Sequence, residues 1–195
     1  MKKLYCFDFD GTLTYRDTMF MFLRHYNPVR FYLQFVLHTP LFILLKLNLM
    51  DAERVKKSYI ASMLKGESRT RIEEEAEKFF TQNYPEIIRR NALDFLNNRD
   101  ADHTESWMIT ASLDIWVRPF AQKFNMKLLA TEAEYVDGIF TGKFITPNCN
   151  GNEKLNRIKS EMKGRKYDKI IAFGDTAGDK PMLNWADESY FRFFH

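Results

Sequence analysis

Apolar positions recur along the chain at two different spacings. The opening stretch Leu4-Tyr5-Cys6-Phe7-Asp8-Phe9 is apolar but for one acid, as expected of a short strand buried on both faces. From residue 17 to about residue 82 the spacing turns helical. Met19, Phe20, Phe22 and Leu23 mark a helix over 18–26, with Asp17 or Thr18 as its N-cap and Asn27-Pro28 as its stop. Further helices are predicted over 29–38, 40–48 and 51–65 and from 68 onward, with Pro40 dividing the first two, Asp51 capping the third and Ser68 opening the last. The second half alternates. It reads as a helix over 85–97, a strand over 106–110, a helix over 113–124 that Pro119 delays or kinks, and a strand over 127–130. A hairpin over 134–145, with Asp137-Gly138 and Thr141-Gly142 as turns, precedes a helix over 152–163. A strand over 169–173, a helix from 181 and an edge strand over 190–194 complete the chain. Strands separated by helices predict an α/β fold with a doubly wound, Rossmann-like parallel sheet. The helical run becomes an inserted all-helical cap, giving a core of 1–16 and 83–195 and a cap of 17–82.

Residues 31–49 pose a separate question, because 13 of these 19 positions are apolar. Pro40 at the centre and Gln34, His38, Lys46 and Asn48 along the run favour two short helices over one membrane span. Such helices either pack on other helices or rest on a membrane or a greasy substrate.

Composition narrows the class. A formal charge of +3 without a dense Lys/Arg stripe gives no nucleic-acid footprint. Cys6 and Cys149 make no disulfide framework, which fits a reducing cytoplasm. The N-terminus carries no signal-peptide core, because Asp8 and Asp10 interrupt its apolar run.

The candidate chemistry lies in four polar clusters at strand or helix ends. Asp8 and Asp10, two apart in a strand that Gly11 breaks, converge where open α/β sheets place their ligands. Two carboxylates so close repel, and a divalent cation or a shared proton relieves them. Thr110, with Ala111 and Ser112, ends the next strand; Lys154 opens a helix after the hairpin; Gly174-Asp175-Thr176-Ala177-Gly178-Asp179 ends the last central strand. Singly, each is a turn, a cap or a surface lysine. Together they occupy one edge of one sheet.

In that order they resemble the four motifs of the haloacid dehalogenase-like hydrolases. The helical insertion is similar to the cap of the phosphoserine-phosphatase-like subgroup, in which Asp17 falls at an acidic position of the cap entrance. The resemblance implies a phosphate-monoester hydrolase with Asp8 as nucleophile and Asp10 as general acid and base. A haloacid dehalogenase proper lacks the second aspartate, so Asp10 points to phosphoryl chemistry. It implies Mg²⁺ held by Asp8, the backbone carbonyl of Asp10 and Asp175, with Asp179 holding a metal-bound water. Thr110, Lys154 and the backbone N–H groups near Gly11 and Ala111 would bind the phosphoryl oxygens. The subgroup's substrate-gripping cap arginine is replaced by Ile60, with Lys56 and Lys57 nearby, which argues against phosphoserine. The apolar 31–49 run, Asp100-Ala101-Asp102 and Cys149-Asn150-Gly151-Asn152-Glu153-Lys154 resemble instead the bacterial phosphatidylglycerophosphatases of the subgroup. The expectation is therefore a lipid phosphate as substrate, with peripheral membrane contact through the cap of a cytoplasmic protein. The alternatives are a phosphatase of a small soluble metabolite, a phosphotransferase, or a non-catalytic phosphate-binding module.

Overall fold

The computed structural model describes residues 2–47, 49–100 and 103–195. Asn48, Ala101 and Asp102 lie outside them, and with them part of the Asp100-Ala101-Asp102 motif.

Five strands form one parallel sheet in the order β3-β2-β1-β6-β7. These are β1 (Lys3–Phe7), β2 (Thr104–Leu113), β3 (Lys127–Thr131), β6 (Lys169–Gly174) and β7 (Glu188–Phe191); β4 (Ala133–Val136) and β5 (Ile139–Phe144) form a separate antiparallel hairpin. Alternation along β1 explains the layering. Leu4 and Cys6 join Trp107, Ile109, Ala172, Ile158, Met182 and Leu183 in one apolar cluster. Phe7, on the other face, joins Phe173, Leu96, Trp116 and Phe120 in a second. Helices α5 (Arg90–Asn98) and α6 (Asp114–Lys123) thus cover one face, and α7 (Asn152–Met162) and α8 (Lys180–Trp185) the other. Phe7 pairs with both Met108 and Phe173, so the carboxyl ends of β1, β2 and β6 reach the same edge together.

Helices α1 (Thr18–Tyr26), α2 (Pro28–Lys46), α3 (Ala52–Leu64) and α4 (Arg69–Asn83) follow β1. Side chains of Asp17, Asn27, Asp51 and Ser68 accept N–H bonds at the four N-termini, satisfying donors that a helix start leaves free. The β4–β5 hairpin borders this layer, with Phe140 and Gly138 exchanging backbone bonds with residues 66–69.

Three elements differ from expectation. Pro40 does not divide the apolar run: α2 is one helix of 19 residues with Pro40 inside it. An interior proline costs about 3 kcal/mol, and Tyr59 packs against α2 on both sides of it. Its ring touches those of Phe31 and His38 before Pro40 and Phe42 after it, at 6.0, 5.3 and 5.6 Å. The helix predicted over 85–97 begins only at Arg90. The preceding residues are held by the chain that leaves β1, through Tyr15 N–H to the Ile87 carbonyl and Arg89 N–H to the Leu13 carbonyl. Finally, Asp137-Gly138 makes the hairpin turn with both φ positive, whereas Thr141 and Gly142 lie within β5. There a Cβ on Gly142 would press within 3.2 Å of Ala61 on α3.

Candidate active site

The strand ends bring the expected acids to one place. Carboxylate oxygens of Asp8, Asp175 and Asp179 lie within 4.8 Å of one another. The Lys154 ammonium stands between two of them, 2.5 Å from Asp8 Oδ1 and 2.6 Å from Asp179 Oδ1. All four side chains are buried, in a setting where an unpaired charge would cost several kcal/mol. The Thr12 hydroxyl lies 2.9 Å from both Asp8 Oδ2 and Asp175 Oδ1, able to donate to either. Gly11 has a φ of +82°, and a Cβ there would come within 2.6 Å of Asp175 Oδ2, so only glycine lets β1 turn here. Its N–H donates to Thr14 Oγ1 at 3.1 Å.

Electrostatics separate the acids. Burial pushes the Asp8 carboxyl up to about 7, against the pull of Lys154 and with a further push from Asp179. Burial would also raise Asp179, but Lys154 and the donors of Thr176 outweigh it and hold it below the usual range. Its Oδ2 accepts from the Asp175 and Thr176 N–H groups and the Thr176 hydroxyl. Burial lowers Lys154, but Asp8 and Asp179 together raise it above the ordinary lysine value.

Asp10 stands apart from this trio. Its Oδ1 accepts from Thr18 N–H and Thr18 Oγ1 at 2.7 and 2.6 Å, and its Oδ2 from Ser112 Oγ at 2.6 Å. The Trp116 indole N–H donates to Thr18 Oγ1 at 3.1 Å from behind. Thr110 Oγ1 lies 3.5 Å from Asp10 Oδ2 and accepts from Ser112 N–H, where β2 loses its regular register with β3. Asp17, the N-cap of α1, is raised to about 6 by burial and by neighbouring Asp10.

One group reaches this edge from α3. Lys56 Nζ donates to the Ala111 carbonyl at 2.7 Å, and the Thr131 hydroxyl donates to the same carbonyl at 3.0 Å. Burial lowers the Lys56 pKa, while Asp10 and Asp17 oppose the fall. The residues expected from sequence therefore share one edge: Asp8, Asp10, Gly11, Thr110, Ala111, Lys154, Asp175 and Asp179, with Asp17 at the helical side. Thr12, Thr18, Ser112 and Lys56 also reach it; the sequence gives none of them a part in the chemistry, offering Thr18 only as a helix cap, a place that Asp17 takes. Ser112 was readable, because it lies two positions after Thr110 in a strand and points the same way. Lys56 carried a fainter signal, a lysine on the helix face of buried Tyr59, Ile60 and Met63. No spacing signal marks Thr18.

A profile described as haloacid dehalogenase-like hydrolase matches residues 6–184. Protein CicA of Caulobacter vibrioides is 32% identical over 193 residues, covering 98% of this chain and 86% of that protein. Phosphoserine phosphatase SerB1 of Mycobacterium tuberculosis is 28% identical over 191 residues, covering 91% of this chain and 60% of that protein. A crystal structure of a protein of unknown function from Bordetella pertussis Tohama I superposes with a TM-score of 0.81 at 19% identity, covering 97% of this chain and 89% of that one. At that identity the likeness is one of fold.

Proposed function

The chain belongs to the haloacid dehalogenase-like hydrolases, and from that premise we propose that it hydrolyses phosphate monoesters through a phosphorylated Asp8, with a lipid phosphate as substrate. The observation that carries the chemistry is the buried set of Asp8, Asp175 and Asp179 around one strand end, with Lys154 among them. Asp8 attacks phosphorus as the bond to the leaving oxygen breaks, and Asp10 gives that oxygen its proton. Water then attacks the acyl phosphate, Asp10 takes its proton, and Asp8 and inorganic phosphate are released. Lys154 offsets negative charge, and Thr110 and the N–H groups near Gly11 and Ala111 bind phosphoryl oxygens. Thr18 and Ser112 orient Asp10 through both of its oxygens.

Hard oxygen donors held this close fit Mg²⁺, and the upward push on Asp8 is what a cation would relieve. Asp8, the Asp10 carbonyl and Asp175 would hold it, with Asp179 on a bound water. When bound it supplies charge neutralisation for attack by a carboxylate on a phosphate dianion.

Support for a lipid comes from α2, of whose 19 residues only Phe31 and His38 are buried. The protein would then be cytoplasmic and meet its substrate at the membrane through the cap, 17–82. A second reading, a small soluble substrate like phosphoserine, is favoured by the opposite charges of Asp17 and Lys56 at the site. The test is phosphate release with Mg²⁺ from phosphatidylglycerophosphate in detergent and from O-phosphoserine. Faster lipid turnover is expected, with both lost on chelation and restored by Mg²⁺. Faster phosphoserine turnover would select the second reading. Asp8→Asn should fall by roughly 10⁴-fold or more, and persistent turnover by that variant or by metal-free protein would remove the mechanism.

A further inference from the structure

The outer side of α2 inverts the usual pattern of a surface helix. At 100° per residue, Val29, Tyr32, Leu33, Val36, Leu37, Pro40, Ile43 and Leu44 fall on one continuous stripe, with no polar residue among them. The stripe faces solvent: Val29 is 80% exposed and Val36 68%. It runs the length of the helix, about 28 Å, far more apolar surface than a scatter of single exposed side chains. The helix is long and apolar enough to cross a membrane, but its inner side is committed elsewhere. Tyr59 Oη donates to the Phe31 carbonyl, and His38 Nε2 lies 3.1 Å from Ser58 Oγ on α3.

Charge indicates what covers the stripe. Residues 18–50 contain no Asp or Glu. Arg24 borders the groove lined by Pro28 and Tyr32 at one end of α2, and Lys46 and Arg54 lie at the other. Arg30 and Lys57 are paired, with Glu67 and Glu53, whereas among the described residues no carboxylate pairs with Arg24, Lys46 or Arg54. A second copy of the chain meeting this face about a two-fold axis would bring those cations against their like. An anionic bilayer matches both features, apolar interior under the stripe and negative headgroups at its ends.

We propose that α2 docks the protein in the plane of an anionic bilayer surface, stripe inward, without crossing it. The docking names the partner of the lipid-phosphate reading and draws its purpose from it, but flotation, and not turnover, decides it. Whole protein is floated with vesicles of phosphatidylcholine alone or mixed with phosphatidylglycerol. Association with the mixed vesicles, weakened by salt, is expected. Combined Leu33→Ser, Val36→Ser and Leu37→Ser should lower it about tenfold or more, with melting temperature and turnover of a small phosphate ester kept. Arg24→Gln and Lys46→Gln should each cost about fivefold. The proposal is overturned if wild-type protein does not float, if the triple variant floats equally well, or if light scattering finds a dimer that the triple variant dissolves while vesicles go unbound. Flotation without lipid-phosphate turnover would leave the docking standing and remove the substrate reading. Turnover of the lipid in detergent without flotation would do the reverse.

Discussion

At the carboxyl edge of the sheet four charged side chains, Asp8, Lys154, Asp175 and Asp179, are buried; on α2 seven large apolar ones are exposed. Both regions depart from the rule of apolar inside and charged outside, in opposite directions. The first is tolerable because every charge there has a partner at hydrogen-bond distance. The second is tolerable because the inner side of α2 already holds its place against Tyr59. Neither arrangement is what stability alone would select. Apolar residues of similar volume often replace buried ion pairs at no loss, and polar residues on α2 would cost nothing in packing. On the proposed readings, each region is shaped by something the chain meets, a phosphate at one and an apolar surface at the other.

Substitutions at four positions break or sharpen that contrast. Lys154→Met leaves two buried carboxylates without their cation, and should cost about 3–5 kcal/mol in chemical denaturation together with nearly all turnover. A variant as stable as wild type would mean that the acids rest protonated and the cluster is not an ionic one. Thr18→Val removes a donor to Asp10 and the acceptor of Trp116; kcat should fall about tenfold with KM little changed. Thr18→Ser should restore it, which a merely structural threonine would not require.

Glu105, near the amino end of β2, supplies the contrast to Asp8 within one sheet. Burial would raise it, but donors from Trp107, Tyr167 and Lys2 prevail and hold it at about 2. A carboxyl held low contributes stability that is present above its unfolded value and lost as pH falls through the folded one. Glu105→Gln should thus cost about 1–2 kcal/mol at neutral pH, a modest figure for a side chain partly open to water. The gap from wild type should close as pH drops from about 4.5 towards 2. A gap that stays constant across that range would assign the effect to packing. Smallest of all, Val36→Ser should shift stability by no more than about 0.5 kcal/mol. A larger loss would show that the stripe is covered within the folded chain.

Much of this architecture was legible from local rules. Asp17, Asp51 and Ser68 announce helix starts because their side chains act on donors two or three residues away. The alternation of strand and helix spacing carried the parallel sheet, and four strand-end clusters carried the acids. What escaped was non-local. Pro40 reads as a break until Tyr59, nineteen positions later, is seen to hold both sides of it. Residues 85–89 read as helix until the outgoing chain at 13–15 claims their backbone. Lys56 reads only as a lysine near the subgroup's cap-arginine position until its 2.7 Å bond to Ala111 spans 55 residues.

The strand that begins the chain is the middle strand of its sheet, and this orders events during synthesis. β1 precedes both of its neighbours: β2 follows only after the whole helical run, and β6 only after β2 to β5 as well. Asp8 waits 146 residues for Lys154, and Thr12 waits 163 for Asp175. Helices α1 to α4 are contiguous in the chain, yet α1 and α4 also pack on α6 and α3 on β5, elements made later. Folding of the sheet is then a late, long-range closure, which is slow and leaves an apolar strand exposed meanwhile. The site is completed only when α7 and β6 bring Lys154, Asp175 and Asp179 to Asp8 and Thr12.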